Sequence, residues 1–331
     1  MSTEPDRNVG LELLRATEAA ALAAARWVGR GHKEAGDQAA VDAMRLMLGT
    51  VEMDGVIVIG EGEKDRAPML YNGERVGNGR GPATDVAVDP VEGTNLLAKG
   101  LPNSIAIVGL APHGAMRDFG PSFYMDKIVV GPESVGQVDL DAPVAANLTA
   151  VAKAKGVRVE EITVVILDRP RNADKIAGVR DASARVRLIS DGDVAPALMT
   201  ALPGTGIDIV LGIGGTPEGV ITACAMHGLG GEIQARPAPQ SDRERERVLA
   251  HGIDLDARLT HHELVAGEDL FFAATGITQG DFLQGVSYTS DGAITHSLVT
   301  RSRSGTWRVI ESHHRWEKLV PMSAVPYRQP H

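Results

Sequence analysis

Between residues 162 and 212 short β-branched runs alternate with helical stretches: "ITVVILD" (162–168), "RVRLISD" (185–191) and "IDIVLG" (207–212), each followed by a helix. Such alternation predicts parallel strands joined by crossover helices, with ligands at the carboxyl ends of the strands. The helix after the third run opens at "GTPEG". Thr216 is read there as the N-cap, Pro217 as the first helical residue, and Glu218 as an acid in the positive first turn. The preceding half has another rhythm. Two Ala- and Leu-rich helices, 11–31 and 37–48, flank the polar junction "GHKEAGD", which carries Lys33 and Asp37. The runs "VIVIG" (56–60), "DVAV" (85–88), "SIAIVGL" (104–110) and "KIVVG" (127–131) follow, separated by loops. They predict a mixed α+β region with a largely antiparallel sheet. The last quarter, from "DLFFAATGI" to "TWRVIES", reads as antiparallel strands, and "APQSDRERERVLAHG" (238–252) as a solvated, charged helix. A chain of 331 residues is long for one core, so two subdomains are expected, 1–142 (α+β) and 143–331 (α/β).

Composition narrows the partners. The formal charge is −10 with no basic block, and aromatic residues make up 4%. That argues against a nucleic acid or an anionic membrane, both of which need clustered Lys and Arg. An acidic protein still binds a phosphorylated metabolite when metal ions supply the positive charge. Cys224, the single cysteine, lies in the apolar run "GVITACAMHG" and reads as a small buried hydrophobe, so neither a disulfide framework nor a thiolate cluster is expected. The N-terminus is polar and no stretch approaches ~20 apolar residues, which points to the cytoplasm.

Acidic residues gather where strands end. "VIVIG" runs into Glu61, Glu63 and Asp65; "DVAV" into Asp89 and Glu92 of "VDPVEGT"; "ITVVIL" into Asp168, Arg169 and Arg171; "VRLIS" into Asp191 and Asp193; "IDIVLGIGG" into Glu218. Each has an ordinary reading. Asp after a strand is commonly an N-cap and Gly a turn, two arginines pair with surface acids, and "DPVEGT" alone could be a turn opening a helix. Against this, three acids within "EGEKD" repel one another unless solvated or bridged by a cation, and Pro90 fixes the backbone beside Asp89. Together the set suits one chemistry. Oxygen ligands without His or Cys clusters select Mg²⁺ or Mn²⁺. Two such ions can share a phosphate and activate a water for in-line attack, while arginines and a helix N-terminus hold the rest of the substrate. Neither G-x-S-x-G nor a P-loop motif is present, and "GIGGTPEG" lacks the G-x-G-x-x-G spacing of a dinucleotide loop.

"VDPVEGT" resembles the Asp-Pro-(Ile/Leu)-(Asp/Glu)-Gly-Thr signature of the lithium-sensitive, metal-dependent sugar phosphatases. "GRGHKEAGDQAAVDAM", "VIGEGEKDRAPMLYNGE", "LDRPR", "ISDGDV" and "GIGGTPEG" narrow the resemblance to the bacterial class II fructose-1,6-bisphosphatases, over about residues 7–316. The resemblance implies a layered αβαβα sandwich with the active site between a metal-binding N-terminal and a substrate-binding C-terminal subdomain. It implies metal ligation by Asp37, Glu61, Asp89 and Glu218, with Glu92 as the second acid of the signature. Gly93 and Thr94 would approach the reactive phosphate, Thr94 positioning or deprotonating the attacking water, and Lys33 and Asp65 match positions nearby. Tyr124, Arg169, Arg171, Asp191, Asp193 and Gly215 match substrate contacts, the arginines suited to a distal phosphate through their planar forks and the aspartates to sugar hydroxyls. Many class II members carry Asp where this chain has Glu92; its "EGTN" form resembles variants that also act on sedoheptulose 1,7-bisphosphate.

The expected activity is hydrolysis of the 1-phosphate of fructose 1,6-bisphosphate, by a protein expected to be a homo-oligomer. A preference for sedoheptulose 1,7-bisphosphate or an inositol phosphate is the alternative within the enzyme class. A non-catalytic sugar-phosphate sensor is the alternative outside it, and a nicotinamide-dependent dehydrogenase a third, resting on "GIGGTPEG" alone.

Overall fold

A computed structural model describes residues 7–62 and 69–322; Glu63 and Asp65 lie outside them. The chain begins with helices α1 (Gly10–Ala24) and α2 (Lys33–Leu48). Strands β1 (Asp54–Ile59), β2 (Arg75–Val76) and β3 (Ala83–Glu92), helix α3 (Thr94–Lys99) and strands β4 (Ile105–Pro112) and β5 (Tyr124–Val130) follow. The middle runs α4 (Val144–Lys155), β6 (Thr163–Leu167), α5 (Ala173–Asp181), β7 (Arg185–Ile189), α6 (Val194–Thr200), β8 (Ile209–Gly215), α7 (Thr216–Leu229) and β9 (Glu232–Pro237). The remainder is α8 (Asp242–Ala250), β10 (Leu259–Thr260), α9 (His261–Leu264), β11 (Phe271–Gly276), β12 (Ser287–Tyr288), β13 (Gly292–Arg301), β14 (Thr306–Arg315) and α10 (Trp316–Met322).

Two sheets carry the architecture. The first has the order β12-β13-β11-β4-β3-β1-β2, with β14 on the far edge of β13; the second has the order β10-β9-β5-β8-β6-β7. Apolar residues sort into three cores around them. One lies between α1, α2 and one face of the first sheet (Leu13, Met44, Val86, Val88, Val108). The second fills the space between the sheets and holds α6 and α7 (Ala87, Ile107, Leu198, Cys224, Val210). The third lies beneath α4 and α5 on the outer face of the second sheet (Ile128, Val164, Leu148, Val179). The result is the αβαβα sandwich. Alternation along β3 shows how sequence builds it: Val86 and Val88 face α1 and α2, while Ala87 faces the middle layer. Both sheet faces are covered, so these strands read as continuous apolar runs. Cys224 is buried, as expected.

The first sheet is largely antiparallel, with β1–β3 its parallel pair. The second departs from expectation: β6 pairs in parallel with β7 and β8, but β8–β5, β5–β9 and β9–β10 are antiparallel. The cause is β5. Its place in the sequence groups it with the strands of the first half, yet it crosses into the second sheet and reverses its direction there. Conversely β11, β13 and β14 return to the first. One local reading also shifts. Gly215, with extended backbone, precedes helix α7, so Thr216 is its first residue rather than its cap. In the "ESHHRW" segment His313 is exposed, while His314 is half-buried and hydrogen-bonded to Thr295 Oγ1 at 2.9 Å.

Candidate active site

Asp89 and Glu92 do not lie beyond a strand end, as the sequence suggested; β3 continues through both and stops at Glu92. In a regular strand, residues three apart face opposite sides. Here Asp89 pairs with Ile107 and Glu92 with Ile105, so three steps on β3 match two on β4. This β-bulge inserts one residue, returning Glu92 to the Asp89 side. By alternation from Ala87 that side is the middle layer, where α7 begins. Carboxylate oxygens of Asp89, Glu92 and Glu218 accordingly lie within 4.8 Å of one another. Val91 N–H donates to Asp89 Oδ1 at 3.0 Å, so a backbone amide as well as Pro90 aims that carboxylate. Gly93 then turns the chain into α3 with φ 82°, and a Cβ there would come within 2.8 Å of Leu96 Cδ1. Only glycine takes that turn freely. Thr94 opens α3.

Electrostatics joins two further acids to the cluster. Desolvation raises Asp89 well above the usual carboxylate range, and Glu92, Glu61, Glu218 and Asp37 each push it higher. Glu61, two residues past β1, is raised to about 7 by desolvation and then by Asp37. Asp37, in the first turns of α2, is raised by desolvation against the opposing pull of exposed Lys33. Glu92 is raised to about 8 by burial, Glu218 and Asp193, although Val194 N–H at the start of α6 donates to its Oε1 at 3.1 Å. Glu218 is raised by burial and Asp193, and its Oε2 is buried with no hydrogen-bond partner. Five mutually repelling carboxylates with an orphaned oxygen are costly unless a cation neutralises them. An all-oxygen donor set of this kind fits hard divalent ions.

The second sheet supplies the facing wall. Because β6, β7 and β8 are parallel, their carboxyl ends meet at one edge, and antiparallel β5 starts there, Tyr124 opposite Gly215. A cavity of ≈ 450 Å³ at this edge is lined by Glu92 and Glu218 from the acid cluster and by Tyr124, Arg169, Arg171, Asp191, Asp193 and Gly215. Arg171 Nε donates to Ile213 O at 3.0 Å and its guanidinium lies 4.5 Å from the Tyr124 ring centroid. Arg169 is braced on Ser190 O at 2.6 Å. Asp191 accepts from the N–H and Nδ2 of Asn95, at 3.1 and 3.0 Å, which ties the wall to α3. Gly215 allows a close approach: a Cβ there would fall 1.8 Å from Glu218 Oε2.

Sequence reasoning missed Lys127. Its Nζ lies 2.8 Å from Asp193 Oδ2, and the side chains are 3% and 5% exposed. Asp193 is thus half of a buried ion pair rather than a free acceptor. The available signal was a lysine interrupting an apolar strand, "DKIVV". Of the predicted residues, Lys33, Asp37, Glu61, Asp89, Gly93 and Thr94 do not line the cavity itself; the last four lie on or just beyond β1 and β3.

Clustered carboxylates opposite a pair of braced arginines, at the meeting of two sheets in an αβαβα sandwich, are the equipment of a metal-assisted phosphatase. Comparison with known proteins narrows that class. Residues 7–314 match the family model described as bacterial fructose-1,6-bisphosphatase, glpX-encoded. The chain is 42% identical over 332 aligned positions to fructose-1,6-bisphosphatase 1 class 2 of Escherichia coli (strain K12), covering 96% of this chain and 98% of the relative. The class 2 fructose-1,6-bisphosphatase of Shigella flexneri gives the same identity and coverage. The chain belongs to the bacterial class II fructose-1,6-bisphosphatase family.

Proposed function

We propose that this chain is a fructose-1,6-bisphosphatase that releases the 1-phosphate of fructose 1,6-bisphosphate, leaving fructose 6-phosphate. The observation that carries the reading is a single cavity lined both by Glu92 and Glu218 of the acid cluster and by Arg169 and Arg171. It offers one charge environment for a metal-bound phosphate and another for a phosphate at the far end of the same sugar.

Asp37, Glu61, Asp89, Glu92 and Glu218 would hold Mg²⁺ or Mn²⁺, which supplies charge neutralisation of the reacting phosphate and acidifies a water. The residues of the chain do the rest. The bulge and the Val91 N–H hold Asp89 and Glu92 on one side of β3. Gly93 brings the α3 N-terminus close to the reacting phosphate, and Thr94 Oγ1 orients the attacking water, with Lys33 near the same phosphate. Arg169 and Arg171 bind the distal phosphate, Tyr124 packs against the Arg171 guanidinium, Gly215 leaves room for Glu218, and Asp191 contacts sugar hydroxyls. Asp193, neutralised by Lys127, shapes the floor beneath them. Phosphoryl transfer of this kind rests on positioning and charge, so no covalent nucleophile is required.

The division near residue 143 is kept as a functional one. Apart from Glu218, the metal ligands lie before it with the groups at the reacting phosphate, and apart from Tyr124, the contacts to the distal phosphate and the sugar lie after it. No described helix is long and apolar enough to cross a membrane, and a cytoplasmic location fits a sugar-bisphosphate substrate. Edge strand β14, with Trp307 and Val309 exposed, supports a homo-oligomer.

The test is phosphate release from fructose 1,6-bisphosphate, sedoheptulose 1,7-bisphosphate and inositol 1-phosphate under EDTA, Mg²⁺ or Mn²⁺, for wild type and Asp89→Asn. Metal-dependent release from fructose bisphosphate, abolished in a folded Asp89→Asn, is the expected result. No release from fructose bisphosphate under either metal, or near-normal turnover in the variant, would overturn the assignment.

A further inference from the structure

Three imidazoles form a separate cluster in the middle layer. His227 lies in the last turn of α7, and His261 and His262 open α9. One ring nitrogen of each lies within 4.8 Å of the other two, and the ring centroids are 4.0–4.8 Å apart. Along α7, nine residues separate His227 from Glu218, about 14 Å at 1.5 Å per residue, so this is not an extension of the carboxylate site.

The hydrogen bonding leaves the cluster short of partners. His227 Nε2 donates to His261 O at 3.1 Å and Val265 O at 2.9 Å. That fixes the tautomer and places the free lone pair on Nδ1. His261 Nδ1 is buried with no hydrogen-bond partner. The neighbouring acid, Glu263, is committed to the N–H and hydroxyl of Thr260, at 2.8 and 3.0 Å, and does not answer the rings. Burial and the adjacent imidazoles push His261 down to about 3 and lower His227, which favours the neutral form of both rings. Neutral rings carry the lone pairs a metal requires.

We propose that His227, His261 and His262 form a second cation site, for a borderline divalent transition ion such as Zn²⁺, with water in the fourth position. An all-imidazole donor set selects such an ion over Mg²⁺ or Mn²⁺. The α7 C-terminus presents the negative end of its dipole, and carbonyls behind His227 orient that ring in the way that supports a ligating histidine. Zn–N bonds of about 2.0–2.1 Å demand nitrogens about 3.3 Å apart in a tetrahedron. Closure from within 4.8 Å to that distance takes small turns of all three rings, of which His262 alone is exposed. Once bound, the ion ties the four-residue α9 to the last turn of α7.

The test is calorimetric titration of chelator-stripped protein with ZnCl₂ in saturating Mg²⁺, which keeps the carboxylates occupied. Wild type is compared with His262→Ala, a surface change that leaves the core intact. Wild type binds one equivalent of Zn²⁺ that the variant binds on the order of 100-fold more weakly or not at all, while Mg²⁺-supported phosphate release is the same in both. Co²⁺ in place of Zn²⁺ gives the strong visible absorption of tetrahedral coordination in wild type only. Equal Zn²⁺ stoichiometry and affinity in the two proteins, or no Zn²⁺ uptake by wild type, overturns the proposal.

Discussion

Gly215→Ala isolates the contribution of a single approach distance. The backbone there has φ −69° and ψ 145°, which alanine adopts without strain. The added Cβ would fall 1.8 Å from Glu218 Oε2 and 2.6 Å from its Cδ. Nonbonded carbon–oxygen contacts do not close below about 3 Å, so the carboxylate must retreat by roughly 1.2 Å, more than the displacement that costs on the order of 100-fold at a catalytic site. The carboxylate is the movable party, since it ends a flexible side chain while Gly215 is fixed in the pairing of β8 with β5. The metal concentration giving half-maximal phosphate release should therefore rise by about 10–100-fold, or about 1.4–2.7 kcal/mol. The melting temperature of the metal-free protein should stay near that of wild type. Unchanged metal activation in a folded variant would refute the placement of Glu218 as a ligand.

Other expectations concern the charges around the site. Glu61 and Glu92 have folded-state pKa values above their unfolded ones, about 7 and about 8 against 4.5. Between those limits the folded state holds more protons, so the metal-free protein loses stability as pH rises from about 5 to about 8. Denaturant titrations in EDTA should show that decline, and saturating Mg²⁺ should remove it; a metal-free stability that rises over the same interval would contradict the shifts. Lys127→Met leaves Asp193 buried and unpaired, at a cost of about 3–5 kcal/mol. Chemical denaturation should register that loss, and Asp193→Asn in the same chain should recover most of it. Arg171→Ala should raise KM for fructose bisphosphate far more than it lowers kcat, and a pure kcat loss would remove Arg171 from the distal-phosphate role.

Much of this site was legible because strands covered on both faces read as apolar runs, and a polar residue at the end of such a run stands out. That rule marks Glu61, Asp191 and Glu218 as candidates, while the helix pattern puts Asp37 only at a helix junction and its reading as a ligand rests on the family resemblance. Its failure at β3 is instructive. Asp89 interrupts the apolar run and looks like a strand end, yet the strand continues. What makes "DPVE" a two-carboxylate platform is a register shift against β4, a relation between distant segments that no local pattern encodes. Lys127 escaped for the opposite reason: one charge amid "KIVV" is buried because Asp193, far along the chain, neutralises it. The three histidines give no local signal because His227 and the 261–262 pair become neighbours only when α9 packs on α7. The direction of β5 was unreadable for the same cause, since a short run such as "KIVV" does not say which sheet takes it in.

The first sheet is assembled out of chain order, and that has a consequence for synthesis. Strand β4 has seven of its eight residues buried, but its outer edge is satisfied by β11, residues 271–276. A nascent chain that has exposed β1 to β4 therefore carries an open apolar edge until the last fifth of the protein emerges. Such an edge is a template for pairing with another chain. The same holds for the platform beneath Asp89, since β3 is next to that unfinished edge. Loss of the segment after residue 270 would not merely trim the molecule; it would leave the strand that carries Asp89 and Glu92 one neighbour away from an aggregation-prone seam.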